Sequence, residues 1–502
     1  MHRHSCAERR AANEGYVTMN GPVSRNPHLL GGCLCHGPEV RRLMCIAEAV
    51  PSRRSVLKGL AGGLTASLVT ASVVTASAMA GAPAAVVLAN ARIFDGVSAD
   101  LIEGRDVVVE ADRVSALVPR GQAVDGARVL DCTGKVIMPG LIDAHWHTFM
   151  AALPQALAMT ADAAYIHLLA AQEAGRTLLR GFTTVRDVGG PSFALKRAID
   201  EARFPGPRIY PSGAMISQTG GHGDFRFRSQ IPGTPTSPLS PAEKEGVTIV
   251  ADGVPQVLQR AREQLLLGAS QLKVMVGGGV SSLYDPLDAI QFTAPEIKAV
   301  VDAASDWGAY VCAHVYTSEG IARALDCGVR SIEHGQLADA ETARRMADAG
   351  AWWSLQPFLA DEDSNPQATP EQQAQQREIA EGTVRAFEFA RRYNVNTAIG
   401  TDILFSPAAT VTQGRQIAKL ARWMPNVDVL RMATGRNGEL LALSGKRNPY
   451  PGKLGVIEPG AYADLLVVDG NPLEDIGIIG DPDKRMQLIM KAGTIFKNTL
   501  GA

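Results

Sequence analysis

The chain carries no surplus of either charge. Its 502 residues hold 49 Lys and Arg against 51 Asp and Glu, a net of −2. No basic stripe runs along any segment, so no nucleic-acid partner is expected. Cysteine is scarce and badly placed for cross-linking. Of the seven, Cys6, Cys33, Cys35 and Cys45 precede residue 50, which leaves only Cys132, Cys312 and Cys327. An odd, sparse set of this kind does not support a disulfide framework. The sequence also lacks an internal repeat of fixed period, a phosphate-cradling P-loop and a Ser-His-Asp nucleophile elbow. At 46% hydrophobic and 20% charged it is neither a disordered tail, a collagen nor a coiled coil.

The small net charge hides an asymmetry. Residues 1–80 contain 9 Lys and Arg and 4 Asp and Glu, a net of +5, so the remainder carries −7. Within this front end, residues 52–80 read SRRSVLKGLAGGLTASLVTASVVTASAMA. The Arg53-Arg54 pair, the weakly apolar run behind it and the small-residue ending Ala78-Met79-Ala80 resemble a bacterial twin-arginine export signal. The run over 59–80 is long enough to span a bilayer but poor in Leu, Val and Met, so an uncleaved anchor is the weaker reading. The expected location is the periplasm, with membrane contact only during export. Met44 is a plausible true start. Cys33-Leu34-Cys35-His36 lacks the second ligand pair that a zinc site needs.

Beyond residue 80 the pattern changes twice. Short β-rich segments separated by Gly, Asp and Asn turns occupy both ends of the body, for example AAVVLANARIFDGVS and GAYADLLVVDG. Between them eight candidate strands alternate with helical patterns, beginning with VIMPGLIDAHWH and ending with NTAIGTD. Eight such units over about 270 residues fit a (β/α)8 TIM barrel, and a doubly wound sheet is the alternative. The expected fold is therefore α/β. A leader occupies 1–80, the barrel 139–450, and segments 81–138 and 451–502 form one small β-sandwich from both ends. Two long loops, over 214–254 and 358–373, are expected over the barrel mouth.

Ligand-type side chains collect on the candidate strands. His145 and His147 sit two residues apart at the end of the first, and in a strand such residues face the same side. His314, His334 and Asp402 reach the same mouth from the fifth, sixth and eighth strands. Lys273 stands in the apolar stretch Leu272-Lys273-Val274-Met275-Val276 of the fourth, where a bare ammonium is costly. Addition of CO2 to its amine would give an anionic carbamate able to bridge two divalent cations. Imidazole and carboxylate donors fit Zn2+. His167 falls in a helical pattern and reads as structural.

The segments PGLIDAHWH, QLKVMVGGG, AHVYTSEGIARALDCGVRSIEHG and AIGTD resemble the metal-dependent amidohydrolase superfamily. The similarity is greatest to its imidazolonepropionase-like and Xaa-Pro or Xaa-Arg/Lys dipeptidase branch, which includes ochratoxin-hydrolysing amidohydrolases. It covers residues 85–502. The resemblance implies that His145, His147 and Asp402 bind one metal and His314 and His334 a second, with N6-carboxylated Lys273 between them. It implies hydrolysis of a C–N amide bond by a metal-activated hydroxide, with Asp402 moving the proton. His222, in the loop after the third strand, is expected to polarise the scissile carbonyl. Tyr316 with Arg226 or Arg228 is expected to hold a free carboxylate of a dipeptide, N-acyl amino acid or similar amide. Trp146, Trp352 and Trp353 near strand ends would favour a bulky partner unless they are core. A cyclic-amide hydrolase and a non-catalytic exported metal-binding protein are the alternatives; a mononuclear deaminase would not need the bridging Lys273.

Overall fold

The computed structural model describes residues 85–501 apart from 235, 282, 283, 365, 366 and 368. The leader, with Arg53-Arg54 and its cleavage pattern, lies outside the described residues. Among the described residues no helix is long and apolar enough to cross a membrane.

The centre is α/β. Leu141–Trp146, Phe182–Asp187 and Arg208–Pro211 form a three-stranded parallel sheet. A seven-stranded parallel sheet runs in the order Thr248–Val250, Met215–Ser217, Leu272–Met275, Val311–Thr317, Ser331–Leu337, Trp352–Leu355, Asn396–Ile399. Two backbone hydrogen bonds join the sheets: Ser270 N–H to the Pro211 carbonyl at 2.8 Å, and Asp402 N–H to the His145 carbonyl at 2.9 Å. The strands read as continuous apolar runs because both faces are covered. Val274, Ala313, Ile332, Trp353 and Ile399 sit in one large cluster with helix residues such as Ile297 and Phe387.

The connecting helices start where side chains can satisfy their first amide groups. Asp162 accepts from Tyr165 N–H ahead of Ala163–Leu179. Thr293 and Glu296 form a capping box at the start of Ala294–Trp307, as Thr369 and Gln372 do for Pro370–Arg392.

Both ends of the described chain build two further sheets. One is four-stranded, in the order Arg113–Pro119, Arg105–Glu110, Val86–Ala89, Arg128–Asp131. The other is five-stranded, in the order Thr494–Asn498, Met486–Lys491, Leu465–Asp469, Lys135–Pro139, Arg92–Ile93. Leu88, Val107 and Val109 of the first share an apolar cluster with Ile137, Leu465, Val467 and Met490 of the second.

Two expectations need correction. The segment 136–147 is two strands in different sheets. Lys135–Pro139 pairs with Leu465–Asp469, and Leu141–Trp146 opens the parallel set. Gly140 separates them, packed so closely that a Cβ there would lie 2.1 Å from Thr183 Oγ1. The long segment 214–254 is also not one loop, because Met215–Ser217 and Thr248–Val250 pair in parallel within it. Each strand is only three residues long, too brief to stand out in the sequence.

Candidate metal centre

All six expected ligand positions lie on or just beyond parallel strands, with Lys273 inside Leu272–Met275. His145 is inside Leu141–Trp146 and His147 one residue beyond it. His314 and His334 lie within their strands, and Asp402 lies three residues past Asn396–Ile399. Two of these residues adopt left-handed backbone, His334 at φ 71° and Asp402 at φ 51°. At His334 this interrupts strand alternation, so that the adjacent Glu333 and His334 both face inward. Asp402 is drawn back to the first strand by its N–H bond to His145, and Asp143 reinforces that link. The buried Asp143 carboxylate accepts the N–H of His145 and of Thr401, both at 3.1 Å, and the Thr401 hydroxyl at 2.6 Å.

His145, His147 and Asp402 converge as a group able to hold a cation. Asp402 Oδ1 is 3.4 Å from His145 Nε2 and 3.1 Å from His147 Nε2, and its Oδ2 is 3.9 Å from His334 Nδ1. The His145 and His334 rings are 4.8 Å apart, and the His334 and His314 rings 4.5 Å. Lys273 is buried and lines the same cavity. Its ammonium makes no hydrogen bond or ion pair among the described residues.

Burial dominates the electrostatics. It lowers His145 to about 4, with the nearby Lys273 cation adding to the effect. It also drives His314 and His334 well below the usual imidazole range and lowers Lys273. Burial would raise the Asp402 carboxyl, but His145, His147 and His334 outweigh it and hold the group low. His145, His314 and His334 are thus neutral imidazoles around a carboxylate, the protonation states that metal ligands require. A lysine amine disfavoured as a cation also suits carbamate formation. On these grounds the residues fit divalent metal.

The cavity above them has a volume of about 470 Å3. Its walls include Met215, Phe225, Met275, Phe358, Ile379 and Phe405, with Asp361, Asp363, Gln416 and Lys419 on a polar side. His222 and Tyr316 reach this cavity. The His222 ring stacks on His314 at 4.0 Å, and its Nδ1 is 3.0 Å from the buried Asp285 carboxylate. Gly279 makes room, since a Cβ there would lie 2.2 Å from His222 Cε1. Tyr316 stacks against His334 at 5.0 Å, and burial raises its phenol well above the ordinary range, so it stays a neutral donor.

The structure does not bring Arg226 or Arg228 to the cavity. Arg226 is held by Asp224, two residues away, through Nη2 at 2.6 Å and Nε at 2.8 Å. Arg228 lies over the Tyr284 ring at 5.6 Å. The short-range partner Asp224 captures the guanidinium before it can turn inward. Trp146, Trp352 and Trp353 are buried in packing clusters and do not line the cavity either. Trp353 Nε1–H donates to the His334 carbonyl at 2.7 Å. His167 packs on Phe149 at 4.7 Å.

Sequence reasoning missed the buried groups behind the ligands. Glu333 Oε2 is 2.8 Å from His145 Nδ1 and 2.6 Å from Arg186 Nη2. Gln356 Oε1 is 2.7 Å from His334 Nδ1. The available signal was the charged residues Arg186 and Glu333 inside the strand segments TTVRDV and SIEHG.

The amidohydrolase family model matches residues 136–496. The chain belongs to the amidohydrolase family. This amidohydrolase is 31% identical to the ochratoxinase of Aspergillus niger over 377 residues, 72% of this chain and 76% of that one. The crystal structure of that ochratoxinase superposes with a TM-score of 0.72 at 25% identity, covering 83% of this chain and 96% of the other. A prolidase crystallised with N-methylphosphonate-L-proline gives a TM-score of 0.75 at 33% identity, covering 82% of this chain and 100% of that one. The amidohydrolase is accordingly a hydrolase acting on C–N bonds.

Proposed function

We propose that this amidohydrolase cleaves the amide bond to a C-terminal amino acid in dipeptides, N-acyl amino acids and related amides, using two divalent cations, Zn2+ by donor chemistry. The observation that carries the reading is the buried Lys273, facing a cavity floored by four imidazoles and a carboxylate with no partner for its amine. As the N6-carboxylate it would bridge the cation held by His145, His147 and Asp402 and the one held by His314 and His334. Cations bound there supply Lewis acidity, polarising the scissile carbonyl and making water more acidic.

The chain's own residues supply positioning and proton transfer. Asp402 takes a proton from the attacking water and delivers it to the leaving nitrogen. His222, held by Asp285, polarises the scissile carbonyl, and the Tyr316 hydroxyl donates to the substrate's free carboxylate. The apolar wall from Met215 to Phe405 accommodates a hydrophobic side chain or acyl group. The substrate class is supported by the relatives, an ochratoxinase and a prolidase with an L-proline phosphonate. The two parallel sheets, read as one (β/α)8 barrel over 139–450, bring these residues to one mouth. Segments 81–138 and 451–502 close a β-sandwich beside it. The twin-arginine leader directs export to the periplasm, where replacing Arg53-Arg54 by Lys-Lys should strand the protein in the cytoplasm on fractionation.

The test is a panel of dipeptides and N-acyl amino acids assayed with the Zn2+-loaded mature protein. Turnover of free-acid amides, abolished by a chelator and restored by metal, is the expected result. Preference for cyclic amides would replace this reading, and metal uptake with no turnover of any amide would reject catalysis.

A further inference from the structure

We propose that Glu333, locked in place by Arg186, is a positioning residue that selects which nitrogen His145 presents to the metal. The inference rests on the reading of His145 as a ligand and deepens it. Glu333 is fully buried. Its Oε2 lies 2.8 Å from His145 Nδ1. An ionised carboxylate only accepts hydrogen bonds, so Nδ1 must carry the proton and Nε2 the lone pair. Nε2 is the nitrogen that faces Asp402, at 3.4 Å.

Besides His145, two contacts hold the carboxylate itself. Arg186 Nη2 donates to the same Oε2 at 2.6 Å, and the Ser331 hydroxyl donates to Oε1 at 2.6 Å. Arg186 Nε also donates to the Ala144 carbonyl, one residue before His145, at 2.5 Å. The guanidinium therefore ties Glu333 to the backbone next to the ring it orients. Arg186 is further fixed by Tyr310 and Ser354 at 3.2 and 3.1 Å. A guanidinium has donors only, so Oε2 is the acceptor toward Arg186 Nη2, and the same oxygen accepts from His145 Nδ1–H.

The neighbouring imidazoles differ. Nδ1 of His147 meets the Gly189 carbonyl at 3.4 Å, and Nδ1 of His334 meets the neutral Gln356 amide at 2.7 Å. Of these three rings His145 alone has a buried carboxylate on its far nitrogen. Such a partner fixes the tautomer and makes the ring a stronger donor, and its loss typically weakens metal binding about 10–100-fold.

The test measures Zn2+ affinity of the metal-stripped mature chain by competition with a chromophoric chelator, with melting temperature recorded alongside. Replacing the ion pair by apolar residues (Arg186→Met with Glu333→Leu) avoids leaving one buried charge alone. That variant should melt near the wild type and bind its tighter Zn2+ about 10–100-fold more weakly. Arg186→Met with Glu333→Gln retains an amide acceptor for Nδ1–H and should regain part of the loss. A purely structural pair would move the melting temperature and leave affinity within about threefold, which would overturn the proposal. Equal affinity of the Gln and Leu variants would overturn it too, and if one of them fails to fold, the other is judged against wild type by the same threefold limit. Failure of the underlying reading looks different, because the wild type itself would then take up no Zn2+.

Discussion

The sheets made from the chain ends and the parallel sheets at the centre are both β-rich and buried, yet they use their interiors differently. The shared cluster of the terminal sheets is apolar, with Leu88, Ile93, Val107, Ile137, Leu465 and Val467 packed together with the buried Cys132 thiol. The central interior instead buries His145, Arg186, Lys273, Glu333 and His334. Hydrocarbon burial contributes roughly 25 cal/mol per Å2 and asks nothing of geometry beyond close packing. A buried polar group costs free energy unless each donor and acceptor is met. Around the ligands Asp143, Gln356, Ser331 and Ser354 meet that demand, while Thr184, Ser270, Gln271 and Gln336 each keep a buried oxygen without a partner and the Lys273 amine faces the cavity. The contrast teaches that the terminal sheets serve stability, while the polar interior accepts a stability cost for chemistry.

The sharpest way to break that contrast is Lys273→Ala. It should remove bound metal and activity together, as metal analysis beside an activity assay would record. Full occupancy with normal turnover would return Lys273 to a merely structural role. Asp402→Asn should fold but lower kcat by about 10²–10⁴-fold, because an amide cannot carry the proton. A loss below tenfold in steady-state kinetics would assign proton transfer elsewhere.

The opposite half of the comparison is tested by Leu465→Ala in the hydrocarbon cluster. Urea denaturation should show a loss of about 2–5 kcal/mol, with kcat of the folded enzyme unchanged. A kcat that fell with it would mean that the two regions are not separable. At the cavity, amidating the C-terminus of a cleaved dipeptide should cost about 1.5–3 kcal/mol in kcat/KM. Equal kcat/KM for acid and amide would remove the carboxylate contact from the site. The smallest effect belongs to Arg226→Ala. Its guanidinium is engaged by Asp224 outside the cavity, so kcat/KM should change less than about twofold, and a tenfold rise in KM would bring Arg226 back to the substrate.

What could be read from the chain alone was whatever depends on local spacing. The two-residue step from His145 to His147, the lone lysine in LKVM and the alternation of strand and helix patterns each follow from backbone periodicity, and the parallel strands and the cluster match them. The β-rich character of both ends was legible for the same reason. Only the tertiary structure decided what depends on distant partners. It divided 136–147 between two sheets, since strand Lys135–Pro139 pairs with residues more than 300 positions away. It turned Arg226 from the cavity because Asp224 lies nearer than any substrate. It set Glu333 beside His145, 188 residues apart in the chain, and let the left-handed backbone of His334 aim two consecutive side chains inward. Periodicity constrains which face a side chain takes. Which group waits on that face is fixed by packing among strands that are far apart in sequence.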